Sequence, residues 1–189
     1  MALTPSTMLE LTTPAPDFTL TDTVSGEQIS KSNLTGKPLL VMFICTHCPF
    51  VKHVESELAA LGRDYGEQVH IIAIGSNDPE HSPSDAPEHL KAQAERVGFN
   101  FPYLFDAEQK VAKAYTAACT PDFFLFDDVH KLVYRGRLDE SRPGNDAPIN
   151  GHDVRAALGA VISGQDVPRE QFPSAGCNIK WRTPPAYAS

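Results

Sequence analysis

The sequence predicts a layered α/β domain around one mixed sheet. Three observations carry this. Residues 39–44 (Leu-Leu-Val-Met-Phe-Ile) form a short, unbroken apolar run, the pattern of a strand buried on both faces. A helix-spaced segment and then a second, β-branched apolar run at 69–74 follow it, giving a β-α-β order. Residues 123–126 and 131–138 flank the polar stretch 127–130, a strand–turn–strand pattern that adds an antiparallel hairpin.

The remaining elements fit around these. Residues 1–16 are rich in Thr and Pro and read as an arm or loop. Phe18, Leu20 and Ile29 lie around Ser25-Gly26, which suggests two short strands and a turn within 17–37. After Pro49, suited to a first helical turn because it lacks an N–H, apolar residues recur at Phe50, Val51, Val54, Leu58 and Leu61. That spacing predicts an amphipathic helix over 49–65. The Pro-rich segment 76–87 reads as a long loop, 88–97 as a helix, 101–105 as extended and 107–115 as helical. Residues 139–150 are a polar loop, and 152–162 carry Val154, Leu158, Val161 and Ile162 on one helical face. Residues 165–189 hold four prolines and no period. The expected organisation is a domain over 1–164 with an irregular extension over 165–189, docked by Trp181 and Ile179 with help from Phe172.

A chain of 189 residues suits one domain with an extension. Sixteen Lys+Arg against 24 Asp+Glu give a net charge of −8 with no basic block, which argues against nucleic-acid binding. No run approaches the ~18 apolar residues of a membrane span, so no membrane partner is expected. Residues 1–10 contain no Lys or Arg and no signal-length apolar stretch, and the expected location is the cytosol.

The four cysteines are Cys45, Cys48, Cys119 and Cys177. In a reducing compartment the pair Cys45-Thr46-His47-Cys48 points to redox chemistry or metal binding rather than to a structural bridge. It falls where a buried strand turns into a helix. The unpaired N–H groups and partial positive charge of a helix start stabilise a thiolate, so Cys45 is expected to have a depressed pKa. Cys45 would attack a disulfide, and Cys48, one turn into the helix, would resolve the mixed disulfide. His47 between them favours the Cys45 thiolate further and makes the pair more oxidising. A zinc half-site is the competing reading, but Cys119 and Cys177 do not complete a second C-x-x-C, so no metal is assigned.

Ile44-Cys45-Thr46-His47-Cys48-Pro49, the strand before it, and Cys119-Thr120-Pro121 followed by a Phe-rich strand resemble the thioredoxin fold. The segments Pro16-Asp17-Phe18-Thr19-Leu20 and Leu34-Thr35-Gly36-Lys37 resemble its redoxin branch. The group most similar is the peroxiredoxin-like one, with a C-x-H-C-P site and a tail like Gly176-Cys177-Asn178-Ile179-Lys180-Trp181. The resemblance spans roughly residues 10–182. It implies a thiol–disulfide oxidoreductase with Cys45 as nucleophile, Cys48 as resolving thiol and Pro121 as a cis-proline facing them. Thr46, Pro49 and Thr120 are assigned to substrate contact. No cofactor is expected. The implied partners are protein or small-molecule dithiols and disulfides, with an unidentified electron donor.

The chain also departs from relatives of this fold. Thioredoxins carry Trp before the first cysteine and a buried carboxylate on the preceding strand. Here Ile44 and a wholly apolar strand stand instead, so that proton acceptor is missing. A peroxiredoxin-like thiol peroxidase, an antioxidant role, is the first alternative. Aligning the peroxidatic cysteine of that family with Cys48 puts Cys45 at its Thr position and Val41 at its Pro position, and no Arg lies in 117–126. The second alternative is a metal- or copper-handling protein. Copper-delivery members of the fold use C-x-x-x-C-P, one residue longer, and His70, His81, His89, His130 and His152 are scattered and read mostly as surface residues.

Cys119, two residues before Pro121, is expected either beside the Cys45/Cys48 pair or as a buried small hydrophobe. Cys177 is either a packed thiol that anchors the extension or a third redox thiol. The sequence leads to the expectation of a Cys119–Cys177 disulfide in oxidised protein.

Overall fold

A computed structural model describes residues 3–188. Among these described residues, ten strands and four α-helices follow in chain order: β1 (Leu3–Pro5), β2 (Thr19–Asp22), β3 (Gln28–Ser30), β4 (Leu39–Phe43), α1 (Pro49–Tyr65), β5 (His70–Gly75), α2 (Pro87–Val97), β6 (Tyr103–Phe105), α3 (Lys110–Ala114), β7 (Cys119–Thr120), β8 (Asp122–Phe126), β9 (Leu132–Gly136), α4 (His152–Ile162) and β10 (Ala175–Asn178). The helices over 49–65 and 152–162 have the boundaries that their apolar spacing implies.

Seven strands form the main sheet in the order β3-β2-β6-β5-β4-β8-β9. The pairs β4–β5 and β5–β6 are parallel, and the flanking pairs are antiparallel. The sheet is therefore mixed, with β4 inside it and covered on both faces. Alternation along β4 divides the core in two. Leu40, Met42 and Ile44 join Val51, Val54, Leu58 and Leu158 on one face. Leu39, Val41 and Phe43 join Tyr115, Phe124, Phe126 and Trp181 on the other. Every β4 side chain is buried, which fits its continuous apolar composition.

Two expectations need correction. The arm over 1–16 contains β1, and the extension over 165–189 contains β10. These two strands and β7 build a second, three-stranded antiparallel sheet in the order β1-β10-β7. Strands this short carry no alternation that a sequence reader can detect, and backbone pairing alone creates them. Trp181 and Ile179 are buried in the core shared with β4, as their apolar character demands. Phe172 is 48% exposed and lies under the Arg137 guanidinium, 4.4 Å from its ring centre, rather than docking the tail.

The tail after β10 is held by polar clamps. Asn77 Oδ1 accepts from the Lys180 amide at 2.8 Å, and Gln109 Nε2 donates to the Lys180 carbonyl at 2.9 Å. The Arg182 guanidinium donates to Asp78 at 2.9 Å. The Lys180 ammonium bonds the carbonyl and the side-chain oxygen of Asn178.

Candidate active site

The end of β4, the start of α1 and the β7–β8 turn converge on one spot. Cys45 and Cys48 flank the β4–α1 turn, with Cys48 as the N-cap of α1 and Pro49 exposed as its first residue. The Thr120–Pro121 bond between β7 and β8 is cis, as the resemblance implies. Cys45 Sγ lies 3.3 Å from Thr120 Oγ1, and the Cys48 thiol is 3.4 Å from the Thr120 carbonyl oxygen. Gln93 of α2 braces the turn by donating to the Cys45 carbonyl at 3.3 Å. Both sulfurs are buried; Cys45 is 1% exposed.

Cys177 occupies an unexpected place. Its Sγ is 2.6 Å from Cys48 Sγ. The expected pairing with Cys119 is incorrect, and the register gives the reason. Cys177 lies opposite Thr120 and Asn178 opposite Cys119, so Cys119 and Cys177 are offset by one residue and point to opposite faces. Cys119 is buried beside Asp122, Ser6 and Ser174 instead. Gly176 makes the approach of β10 possible, because a Cβ there would overlap the Thr120 carbonyl.

The thiols differ in acidity. The hydrogen bond from Cys45 lowers Cys48 against the opposing effect of burial, and bonds from Cys177 and the Val51 amide at the helix start lower it further, to about 5. Cys45 moves the opposite way, well above its ordinary value, because it donates to Cys48, is buried and faces the Asp85 carboxylate. The helix terminus therefore acts on Cys48, where the chain enters α1, and not on Cys45, for which the low pKa was expected. Cys177 is pushed up to about 12, first by burial and then by its bond to Cys48.

Asp85, in the 76–87 loop, is a site residue that sequence reasoning missed. Its Oδ1 accepts from the Thr46 amide at 2.7 Å and the Thr46 hydroxyl at 2.8 Å. Its Oδ2 accepts from His47 Nδ1 at 2.6 Å, Ser82 Oγ at 2.6 Å and Asn77 Nδ2 at 2.8 Å. Burial raises the Asp85 carboxyl, but the bonds from Ser82, Asn77 and Thr46 outweigh it and hold the group below the usual carboxylate range. Thr46 is thereby tied to the loop through both of its donors, the hydroxyl also reaching the Ser84 carbonyl. One ligand-type atom each of Cys45, His47 and Asp85 lie within 4.8 Å of one another. A cation there would compete with the five hydrogen bonds already made to Asp85. Among the other histidines, His81 bonds Asp78, His152 bonds Asp153 and His70 reaches the Thr35 carbonyl. His81, His89 and His152 are exposed, while His70 and His130 are half-buried.

Asp122 is the second residue missed. It opens β8, pairs with Phe43 of β4 and is fully buried. Neither carboxylate oxygen has a well-formed hydrogen bond among the described residues, and burial pushes the group up to about 8. A buried acid thus exists beside β4, supplied by the neighbouring strand rather than by β4 itself. The sequence did carry a signal: Asp122 is the one charged residue heading the apolar run 123–126.

A mixed sheet whose central strand delivers a C-x-x-C to a helix start, facing a cis-proline, defines a redoxin-type protein of the thioredoxin fold. The AhpC/TSA family profile matches residues 11–135, and the chain belongs to that family. It is 30% identical over 128 residues to the thiol-disulfide oxidoreductase ResA of Geobacillus kaustophilus, covering 66% of this chain and 67% of that protein. To the ResA of Halalkalibacterium halodurans it is 30% identical over 120 residues, covering 63% and 64%. The chain thus spans about two thirds of the length of the named relatives it matches. Among solved structures, an uncharacterized conserved protein from Geobacillus kaustophilus superposes with a TM-score of 0.95 at 49% identity, covering 98% of this chain and 99% of that one. A hypothetical protein from Sinorhizobium meliloti 1021 gives 0.92 at 45% identity, covering 96% and 100%. A secreted disulfide oxidoreductase of Mycobacterium tuberculosis, 18% identical with a TM-score of 0.60 over 76% of this chain and 95% of that one, shares the fold.

Proposed function

We propose that the protein is a thiol–disulfide oxidoreductase in which Cys45 attacks and Cys48 resolves. One observation carries the reading: both sulfurs of the C-x-x-C contact Thr120 of the cis-proline turn, at 3.3 and 3.4 Å, with Cys48 capping the helix. The relatives named as thiol-disulfide oxidoreductases support the same activity class.

Cys48 is the more acidic of the two thiols, and with Cys48 in its thiolate form Cys45 holds its proton. Cys45 attacks one sulfur of a substrate disulfide while that proton passes along its hydrogen bond to Cys48. The first half of the substrate leaves and takes the proton. Cys48, again a thiolate beside its Cys177 donor, attacks Cys45 Sγ. The second half departs as a thiolate that water protonates, leaving a Cys45–Cys48 bond. Two protein thiols are oxidised as one substrate disulfide is reduced, and the reverse sequence oxidises a dithiol. Asp85 positions Thr46 and His47 around Cys45. Cys45 and Thr120 are both buried and β10 already pairs with Thr120, so a substrate reaches Cys45 only after local opening of the structure around it.

The test is trapping. Cys48→Ala incubated with a small aromatic disulfide should accumulate a mixed disulfide on Cys45, and Cys45→Ala should accumulate none at that position. Adduct formation on Cys48 in wild-type protein, with Cys45 remaining a thiol throughout, would reverse the roles. Absence of any exchange with small or protein disulfides would remove the activity.

A further inference from the structure

In the two-cysteine cycle Cys177 serves only as a hydrogen-bond donor to Cys48, yet its sulfur lies 2.6 Å from Cys48 Sγ. We propose that Cys177 is a third redox-active thiol, and that the disulfide first formed between Cys45 and Cys48 passes on to Cys48 and Cys177. This rests on the thiol–disulfide reading above and extends it.

The geometry is specific. The two sulfurs are 2.6 Å apart, only about half an ångström beyond a disulfide bond. The placement is built from several independent features. β10 is pinned between β1 and β7 with Cys177 opposite Thr120, the residue that also contacts Cys45 and Cys48. Gly176 lets the strand approach the Thr120 carbonyl. Asn77 and Gln109 hold the backbone of Lys180, and Trp181 is buried beyond it. Asn77 also donates to Asp85, so one side chain ties the tail to the acid beside Cys45. Cys48 is thus the middle sulfur of three, with a thiol donor on either side.

The chemistry balances without any added oxidant. Cys177 loses its proton and attacks Cys48 Sγ. The Cys45–Cys48 bond breaks, a Cys48–Cys177 bond forms, and Cys45 leaves as a thiolate that takes up a proton. The number of disulfides is unchanged. Electrostatics order the events. While Cys48 is a thiolate, its charge and its hydrogen bond hold the proton on Cys177. Once Cys48 is in a disulfide both influences vanish; burial still raises the Cys177 thiol, opposed by Lys180, but the thiol is easier to deprotonate than before. Oxidation of the first pair therefore arms the third thiol. The result is a protein whose disulfide lies between Cys48 and the tail, with Cys45 returned to the thiol form.

Peptide mapping decides this. Trypsin places Cys45 and Cys48 together in residues 32–52 and Cys177 in residues 170–180. Reduced wild-type protein is oxidised with one equivalent of a small disulfide, acid-quenched, alkylated and digested without reduction. The expected product links 32–52 to 170–180 with alkylated Cys45. In Cys45→Ala, oxidation with diamide should remove two hydrogens per chain and give the same link. In Cys177→Ala it should stop at a disulfide within 32–52. Absence of the cross-linked peptide from oxidised wild-type protein overturns the relay, whatever the variants give. If the internal 32–52 disulfide still forms there, the oxidoreductase reading survives; if no disulfide forms in any of the three, both fail.

Discussion

Replacing Asp85 by Asn tests the electrostatic description of the site. The substitution keeps the shape of the side chain and deletes one buried negative charge within 4.8 Å of Cys45 Sγ. At that separation, two like charges repel by about 3.5 kcal/mol at an effective dielectric of 20. One pK unit corresponds to 1.36 kcal/mol, so the upper limit on the effect at Cys45 is about 2.5 units. The five donors that face Asp85 already withdraw part of its charge, and the expected fall in the Cys45 pKa is about 1–2 units. The assay is the pH dependence of alkylation at Cys45, resolved from Cys48 by peptide fragmentation. Burial slows the reaction at every pH, so the midpoint rather than the rate is the readout. A folded Asp85→Asn protein whose Cys45 midpoint is unchanged or higher refutes the reasoning. The same substitution should cost about 1–3 kcal/mol of stability at neutral pH, because buried donors lose a charged acceptor. Asp85 has a depressed pKa, so its contribution is fully present above the unfolded-state value of about 3.9 and is lost as pH falls through its folded value. The difference between Asp85→Asn and wild type should therefore shrink in strong acid.

Further outcomes are expected. Asp122 has a folded pKa of about 8, above its unfolded value, so its stability contribution is intact in acid and is lost as pH rises towards 8. Denaturant titrations from pH 5 to 8 should show wild-type stability falling by up to ~1.4 kcal/mol per pH unit from this group. Asp122→Asn should flatten that slope, and an unaltered slope would remove Asp122 as its source. Gly176→Ala should force β10 away from the Thr120 carbonyl, cost about 1–3 kcal/mol and suppress any Cys48–Cys177 cross-link; a variant with unchanged stability and cross-linking would show that β10 tolerates a side chain there. Reduced protein should react with hydrogen peroxide slowly in stopped-flow measurements, because among the described residues the groups contacting the sulfurs of Cys45 and Cys48 are Thr120, Cys177, a backbone amide and each other, without a guanidinium to polarise the peroxide. A fast, saturating oxidation would favour the peroxidase alternative.

The sequence determined the frame of the domain and the position of its chemistry. Apolar periodicity is a local property, so α1 and α4 could be bounded from spacing alone, and β4 declared itself as buried on both faces because each of its residues is apolar. Cys45 and Cys48 needed only the strand-to-helix junction to be recognised as a reactive pair. Cys177 and Asp85 could not be placed this way. Cys177 depends on a strand that exists only because β1 and β7, about 170 and about 60 residues away in the chain, supply its backbone partners. A one-residue offset in that pairing separates Cys177 from Cys119, and no sequence pattern sets such an offset between short strands. Asp85 lies in a loop without periodicity and becomes a site residue through five donors that tertiary folding gathers round it. The acidity of the thiols belongs to the same level. A motif states which sulfurs are present, but which one carries the charge follows from the distances to the helix start, to Asp85 and to the other sulfurs, and only the folded chain fixes those.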